Sequence, residues 1–118
     1  FADRTHFVHL RSCYIFPDGN FTEASHLGGR GHLIELCRIF EKAEHEGKCN
    51  SGRRLPMRVD HGMTFTDEPG GVFDESNHGH NAGYTLLGRM FAMGQIQGVI
   101  ATVDDELGIK YKQPGFYD

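Results

Sequence analysis

Two short β-prone runs, each followed by a helical pattern, constrain the fold of this chain more than any other feature. Residues 5–10 and 55–59 are short and rich in strand-forming side chains, and helical patterns follow over 32–46 and from about Gly83 or Tyr84. Alternating strands and helices are typical of a parallel sheet with helical crossovers. Because two strands do not make a stable sheet, we expect further strands outside this chain and interpret it as a fragment.

The two helical patterns predict different buried faces. In the first, apolar side chains recur at helical spacing on one face, namely Leu33, Leu36, Cys37 and Phe40, widened by Ile34 and Ile39. The predicted solvent side carries charged residues, namely Glu35, Arg38, Glu41, Lys42 and Glu46. Gly47 is a suitable helix stop. In the second helix, the predicted buried side comprises Leu86, Leu87, Met90, Phe91, Met93 and Ile96.

The remaining segments show no sustained period. Residues 13–31 read as a loop with a strong turn at 17–20, and residues 28–31 are a glycine-rich approach to the first helix. Residues 63–82 are irregular and contain His78 and His80, whose i, i+2 spacing could bind a metal, although a loop rich in glycine and asparagine does not favour such a site. The run 99–118 has no assignment.

Composition excludes several classes of protein. The 118 residues suffice for one domain with a modest core, and a net charge of -4 with scattered basic residues argues against a nucleic-acid partner. No stretch of apolar residues is long enough to predict a membrane span. Three cysteines without CxxC spacing predict reduced thiols and a cytoplasmic protein. Cys37 is predicted to pack in the core, and Cys49 to be more exposed in a polar loop.

Candidate chemistry lies where the second β-prone run ends. Residues 58–62 read Arg-Val-Asp-His-Gly, so Asp60 and His61 sit where a buried strand would leave the sheet. Catalytic residues of α/β enzymes concentrate at such strand ends, and an acid beside an imidazole can bind a metal and move a proton. The structural alternative is a polar turn capped by Asp60. His9, in the first run, is by itself more typical of a hydrogen-bonded core residue.

Four blocks in order give the chain a family resemblance. Residues 7–11 (FVHLR), 21–29 (FTEASHLGG), 58–62 (RVDHG) and Gly83-Tyr84 with Gly88-Arg89 resemble the C-terminal part of mannonate dehydratase. The resemblance implies the C-terminal βα units of a (β/α)8 TIM barrel, xylose-isomerase-like, spanning residues 1–118. It also implies dehydration of D-mannonate to 2-keto-3-deoxy-D-gluconate with a divalent metal, usually Mn²⁺, with Fe²⁺ or Co²⁺ as alternatives.

The resemblance also implies roles for individual residues. His9 and Asp60 would be metal ligands at the tips of the last two barrel strands, and His61 and Tyr84 would be the proton-transfer pair. His26, Arg11 and Arg89 would contact the sugar-acid substrate, with structural ion pairs as the alternative for the two arginines. The intact enzyme would be a homo-oligomer.

This chain departs from the family pattern in three places. Val59 stands where proline is common, and the span from Gly62 to Gly83 is longer than usual. The two other metal ligands, a cysteine and a histidine, belong to an N-terminal barrel portion that this chain lacks. We therefore expect half a metal site and no activity from the chain alone. Two alternatives stay open at this point: a metal-dependent sugar isomerase of the same barrel type, and a non-catalytic metal-binding fragment.

Overall fold

The computed structural model describes residues 1–49, 54–61 and 86–110. A 3-10 helix, Ala2–Arg4, precedes the strands β1 (Val8–Leu10), β2 (Cys13–Ile15) and β3 (Phe21–Glu23). The helix α1 (Leu33–His45), the strand β4 (Met57–Val59) and the helix α2 (Leu86–Glu106) follow. The chain is thus a mixed α/β structure, as the sequence predicts, while the complete barrel stays a prediction.

β1 and β4 form the parallel pair that the sequence predicts. Val8 is opposite Met57, and Leu10 is opposite Val59. The pairing extends past both strands, since Val8 N–H donates to the Pro56 carbonyl and Asp60 N–H to the Leu10 carbonyl, each at 3.0 Å. α1 lies between the two strands in sequence, so β1, α1 and β4 form a βαβ unit. Leu10 and Val59 are buried, which places the core on their side of the sheet.

α1 lies almost where the pattern predicts it, and its core contact is narrower than expected. Leu33 and Cys37, four residues apart, are its buried residues, whereas Ile34, Leu36 and Ile39 are exposed. Gly47 has a φ of +67° and donates its N–H to the Glu44 carbonyl at 2.9 Å, which confirms the predicted stop. The described residues therefore cover only part of the apolar face of α1.

α2 is longer than expected, and its predicted buried face is wrong. The helix continues to Glu106, so it includes residues 99–106, which the sequence left unassigned. Its buried residues are Gly88, Ala92, Ile96, Val99, Val103 and Asp104. Of the predicted set only Ile96 is among them, and the other five are exposed. α2 is apolar around much of its circumference, so periodicity could not select the stripe that packs on α1.

The apolar character of α2 raises the question of a membrane span. In the described part of the chain, Leu86–Glu106 is the one helix long and apolar enough to cross a bilayer, by length and composition only. Core helices of globular domains pass the same test. Ala92, Ile96, Val99 and Val103 join Leu10, Leu33, Cys37 and Val59 in one hydrophobic cluster. One stripe of α2 therefore packs in the core of the described residues.

β2 and β3 form an antiparallel hairpin inside the segment predicted as a loop. Cys13 is opposite Glu23 and Ile15 is opposite Phe21, so the loop prediction for 13–31 is wrong. The predicted turn is confirmed, with Gly19 at a φ of +89° and Phe16 N–H donating to the Asn20 carbonyl at 2.8 Å. Strands of three residues are too short for alternation to identify from sequence.

The glycine-rich run before α1 packs closely against the start of this hairpin. A Cβ at Gly29 would lie 2.2 Å from Ser12 Oγ and 2.9 Å from the Cys13 carbonyl oxygen. Arg30 N–H donates to that carbonyl at 3.0 Å, and Gly31 N–H donates to Ser12 Oγ at 3.2 Å. Only glycine allows the backbone to approach this near, so the run fixes the hairpin to the approach of α1.

The three cysteines are free thiols, as predicted. Cys37 is a core residue, and burial raises its pKa to about 11. Cys49 was expected to be more exposed but is fully buried, with 0% of its surface accessible. Burial also raises the pKa of the Cys49 thiol. The polar composition around Cys49 suggested exposure, whereas the side chain itself is buried.

Candidate functional site

His9 and Asp60 converge at the carboxyl-terminal end of the parallel pair. His9 pairs with Arg58 in register, and Asp60 lies two residues beyond Arg58, so both side chains project from the same face. His9 Nδ1 lies 3.9 Å from Asp60 Oδ1, and both side chains are partly exposed. The sheet thus places an imidazole and a carboxylate together beside solvent.

This donor set fits part of a divalent-metal site. Imidazole nitrogen and carboxylate oxygen suit Mn²⁺, Fe²⁺ and Co²⁺. Among residues 1–49, 54–61 and 86–110, no group of three or more His, Cys, Asp or Glu side chains is arranged to hold a metal. Ligation by His9 and Asp60 stays a prediction.

His61 lies next to these two residues, between two carboxylates. Its Nε2 is 3.9 Å from Asp60 Oδ2, and its Nδ1 is 3.9 Å from Glu23 Oε1. The side chain is 18% exposed, so most of the ring is buried. The structure therefore brings together three of the predicted site residues, with the ring held near charges that can orient it.

Arg11 forms the structural ion pair that the sequence offered as one of its two roles. Its Nε donates to Glu23 Oε2 at 3.3 Å, and its Nη2 donates to Glu23 Oε1. The hydrogen bond to Glu23 raises the pKa of the Arg11 guanidinium. The guanidinium carbon also lies 5.2 Å from the centre of the Phe21 ring, a cation–π distance. A contact between Arg11 and substrate stays a prediction.

Glu23 is the residue of this region that sequence reasoning missed. It is the last residue of β3, its side chain is 2% exposed, and it contacts both Arg11 and His61. The available signal was an acidic side chain at the end of a short β-prone run, within the block 21–29. Recognising it required the hairpin, which the sequence did not indicate.

His26 is buried behind β1 rather than open to solvent. Its ring is 1% exposed, and Nε2 lies 2.9 Å from the Leu10 carbonyl oxygen. Its backbone N–H donates to Gln95 Oε1 at 3.0 Å, which ties the loop to α2. The cavity beside the ring has a volume of about 10 Å³, near that of one water molecule. A substrate contact by His26 stays a prediction and would require this packing to open.

The structure describes only one of the other predicted site residues. Arg89 lies in the first turns of α2 and is half-buried. Tyr84, His78 and His80 fall outside the described residues. The geometry therefore describes the part of the site carried by β1, β3 and the end of β4.

Fold and site together define a class: an α/β protein with acid and imidazole groups at the ends of parallel strands. Comparison with known families makes this class more specific. The sequence model of the D-mannonate dehydratase (UxuA) family matches residues 1–110. The chain belongs to this family.

Several curated relatives carry the same name. The chain is 35% identical over 109 residues to mannonate dehydratase 2 of Agrobacterium fabrum, covering 91% of this chain and 25% of the relative. It is 33% identical over 106 residues to the mannonate dehydratase of Saccharophagus degradans, covering 88% and 25%. The mannonate dehydratase of Brucella canis is 32% identical over 105 residues, covering 88% and 24%. The chain spans about a quarter of the length of these relatives.

Proposed function

We propose that this chain is part of an enzyme that dehydrates D-mannonate to 2-keto-3-deoxy-D-gluconate and water. Membership of the D-mannonate dehydratase family carries the proposal. The meeting of His9, Asp60 and His61 at the strand ends supports it, because metal-assisted proton transfer needs these groups within one site. We call the protein that contains this segment and the remaining barrel the complete enzyme.

The proposed architecture of the complete enzyme is a (β/α)8 barrel of the xylose-isomerase-like kind, with this segment as its C-terminal βα units. The parallel β1–α1–β4 unit supports the barrel, since such units are its repeating element. The partner of this segment is then the N-terminal barrel portion. We further expect a homo-oligomer in the cytoplasm.

His9 and Asp60 would hold the metal, Mn²⁺ in the first instance and Fe²⁺ or Co²⁺ otherwise. A divalent cation supplies charge stabilisation for the carboxylate and hydroxyl oxygens of a sugar acid when the proton at C2 leaves. The remaining ligands come from the N-terminal portion. His9 Nδ1 and Asp60 Oδ1 lie on one face of the sheet, so both can act from the same side of the site.

His61 and Tyr84 would carry the protons. One residue takes the proton from C2, whose bonding electrons form the C2–C3 double bond as the C3–O bond breaks. The other protonates the departing C3 hydroxyl, which leaves as water, and the enol becomes the 2-keto acid. An imidazole can take either role near neutral pH, and a phenol can donate when a neighbouring charge tunes it. Arg11, Arg89 and His26 are the candidate contacts for the rest of the substrate.

The test is the effect of His61→Ala on the complete enzyme supplied with Mn²⁺ and D-mannonate. We expect kcat to fall by about 10²–10⁴-fold with metal content unchanged, because proton transfer is lost while ligation is kept. Product is measured as 2-keto-3-deoxy acid and metal by elemental analysis. His32→Ala, an exposed histidine just before α1, is the matched control and should leave kcat unchanged.

Three results would contradict the proposal. Aldose–ketose exchange in place of a 2-keto-3-deoxy product would indicate a sugar isomerase. Full turnover by His61→Ala would remove that residue from the mechanism. No turnover by the metal-loaded wild type would favour a non-catalytic metal-binding protein.

A further inference from the structure

Glu23 is a buried acid with no role in the proposed mechanism. It ends β3, opposite Cys13 in the hairpin register, and its side chain is 2% exposed. A buried carboxylate is costly unless hydrogen bonds and an opposite charge offset it. The buried position of Glu23 therefore requires a group that compensates its charge.

Arg11 is the compensating group. The two nitrogens Nε and Nη2 each donate to a different oxygen of Glu23, so the contact is bidentate and fixes the plane of the carboxylate. Arg11 follows directly after β1, while Glu23 belongs to the hairpin. The ion pair thus fixes the carboxylate relative to the sheet that carries His9 and Asp60.

The fixed carboxylate faces His61. Glu23 Oε1 lies 3.9 Å from Nδ1 of His61, and Asp60 Oδ2 lies 3.9 Å from Nε2 on the other side of the ring. These are ion-pair distances, longer than hydrogen bonds. A carboxylate fixed on the Nδ1 side holds that edge of the ring towards the hairpin and leaves Nε2 on the side of Asp60 and the strand ends.

We infer that Glu23 is a positioning residue for His61. Its carboxylate, anchored by Arg11, keeps the Nδ1 side of the imidazole turned towards the hairpin, so that Nε2 faces the strand ends beside Asp60. The inference rests on the proposed function, in which His61 transfers a proton. Glu23 has no contact with substrate in this role and acts through the histidine.

The test is a double-mutant cycle between Glu23→Gln and His61→Ala in the complete enzyme. Glutamine keeps the size of the side chain and removes its charge. We expect Glu23→Gln alone to lower kcat by about 10–100-fold, with KM and metal content unchanged. In the His61→Ala background the same substitution should have no further effect, because a residue that acts through His61 has nothing left to position. Glu35→Gln, at an exposed glutamate paired with Arg38, is the control.

A merely structural role gives a different pattern. The kcat of Glu23→Gln would then fall by the same factor in both backgrounds, which overturns the inference, as does an unchanged kcat. If Glu23→Gln does not fold, Arg11→Lys replaces it in the cycle, since lysine keeps the charge and loses the bidentate contact. It should show the same non-additivity with His61→Ala.

A crystal structure of Glu23→Gln separates failure of this inference from failure of the proposed function. If the wild-type complete enzyme makes no 2-keto-3-deoxy acid, the proposed function fails, whereas the orientation of the His61 ring can still be compared. We expect the ring to rotate or to adopt more than one orientation in the variant. A His61 ring that keeps its wild-type orientation in Glu23→Gln would contradict the inference, whatever the activity of the variant.

Discussion

Two polar clusters lie beyond opposite ends of β4, and they compensate their partly buried acids in different ways. The strand-end cluster, at its carboxyl end, alternates sign and comprises His9, Arg11, Glu23, Asp60 and His61. The helix cluster, near its amino end, is dominated by acids and comprises Glu41, Glu44, Arg54 and Asp104. In the first, the acids lie beside arginine and histidine side chains, whereas in the second burial raises the pKa of Glu41 and Asp104. Reactive groups of parallel α/β folds belong at the first position.

The helix cluster joins both helices to the segment that leads into β4. Glu44 Oε2 accepts the Leu55 N–H at 2.6 Å, and Arg54 Nε lies 3.4 Å from Glu44 Oε1. Glu41 hydrogen-bonds Asp104, which is 5% exposed. Burial, together with the neighbouring Asp104 and Glu44, raises the pKa of Glu41 to about 7, and burial also raises the pKa of Asp104. A bound proton would neutralise Glu41 in the helix cluster, whereas the Arg11 cation compensates Glu23 in the strand-end cluster.

Removing the rest of the barrel is the change that should affect both clusters most. Among the described residues, β1 and β4 pair only with each other, and five large apolar side chains of α2 are exposed. Residues 1–118 expressed alone should therefore bind hydrophobic dyes, show poor amide protection and lack a cooperative melt. Calorimetry and hydrogen exchange measure this. A sharp two-state melt of a monomer with protected strands would contradict both the fragment and the barrel.

A smaller change, Gly29→Ala, should disturb the strand-end cluster and leave the helix cluster intact. The added methyl would meet Ser12 Oγ at 2.2 Å and both Ala24 Cβ and the Cys13 carbonyl oxygen at 2.9 Å, so the backbone must move. We expect a loss of about 1–3 kcal/mol in the free energy of unfolding of the complete enzyme, measured by urea denaturation.

Gly28→Ala is the matched control for Gly29→Ala. There the new Cβ meets only the side chain and carbonyl of Ser25, the nearest atom being Oγ at 2.5 Å, and a hydroxyl can rotate away. Its effect should stay within about 0.5 kcal/mol. Equal losses of unfolding free energy in the two variants would mean that stability depends on glycine throughout the run and not on the close contact of Gly29 with the hairpin.

The elements of this molecule differ in how well the sequence could predict them. α1 was predictable from its helical period and its stop at Gly47, and β1 and β4 were predictable as short β-prone runs. The roles expected for Asp60 and His61 at the strand end stay predictions. The hairpin was missed because its strands are three residues long. The buried face of α2 was predicted wrongly because apolar residues surround the helix, so its pattern does not indicate which stripe packs in the core.

Glu23 and Glu41 show why tertiary contacts escaped prediction. Glu41 reads as a solvent-side residue of an amphipathic helix, yet it is half-buried against Asp104, more than sixty positions away. Glu23 pairs with Arg11 only because the hairpin folds back on β1. Charge in a sequence indicates exposure by default, and only the packed structure reveals which acids have partners.

The smallest expected effect concerns the proton of Glu41. The folded pKa of about 7 lies above the ordinary value of 4.5, so folding favours the protonated acid. This contribution to stability is fully present below pH 4.5, declines as pH rises and is lost above about pH 7. Allowing for the partial exposure of the side chain, we expect a loss of about 1–2 kcal/mol across that range.

Glu41→Gln isolates this contribution, because an amide can still hydrogen-bond Asp104 and cannot ionise. In the complete enzyme the variant should match the wild type near pH 4 and exceed it at pH 8 by about 1–2 kcal/mol in the free energy of unfolding. Glu35→Gln removes an exposed carboxylate from the same helix and should show no such pH-dependent gain. Equal pH dependence of Glu41→Gln and wild type would mean that Glu41 is ionised in the folded protein. The helix cluster would then depend on Arg54, and the two ends of β4 would compensate their acids in the same way.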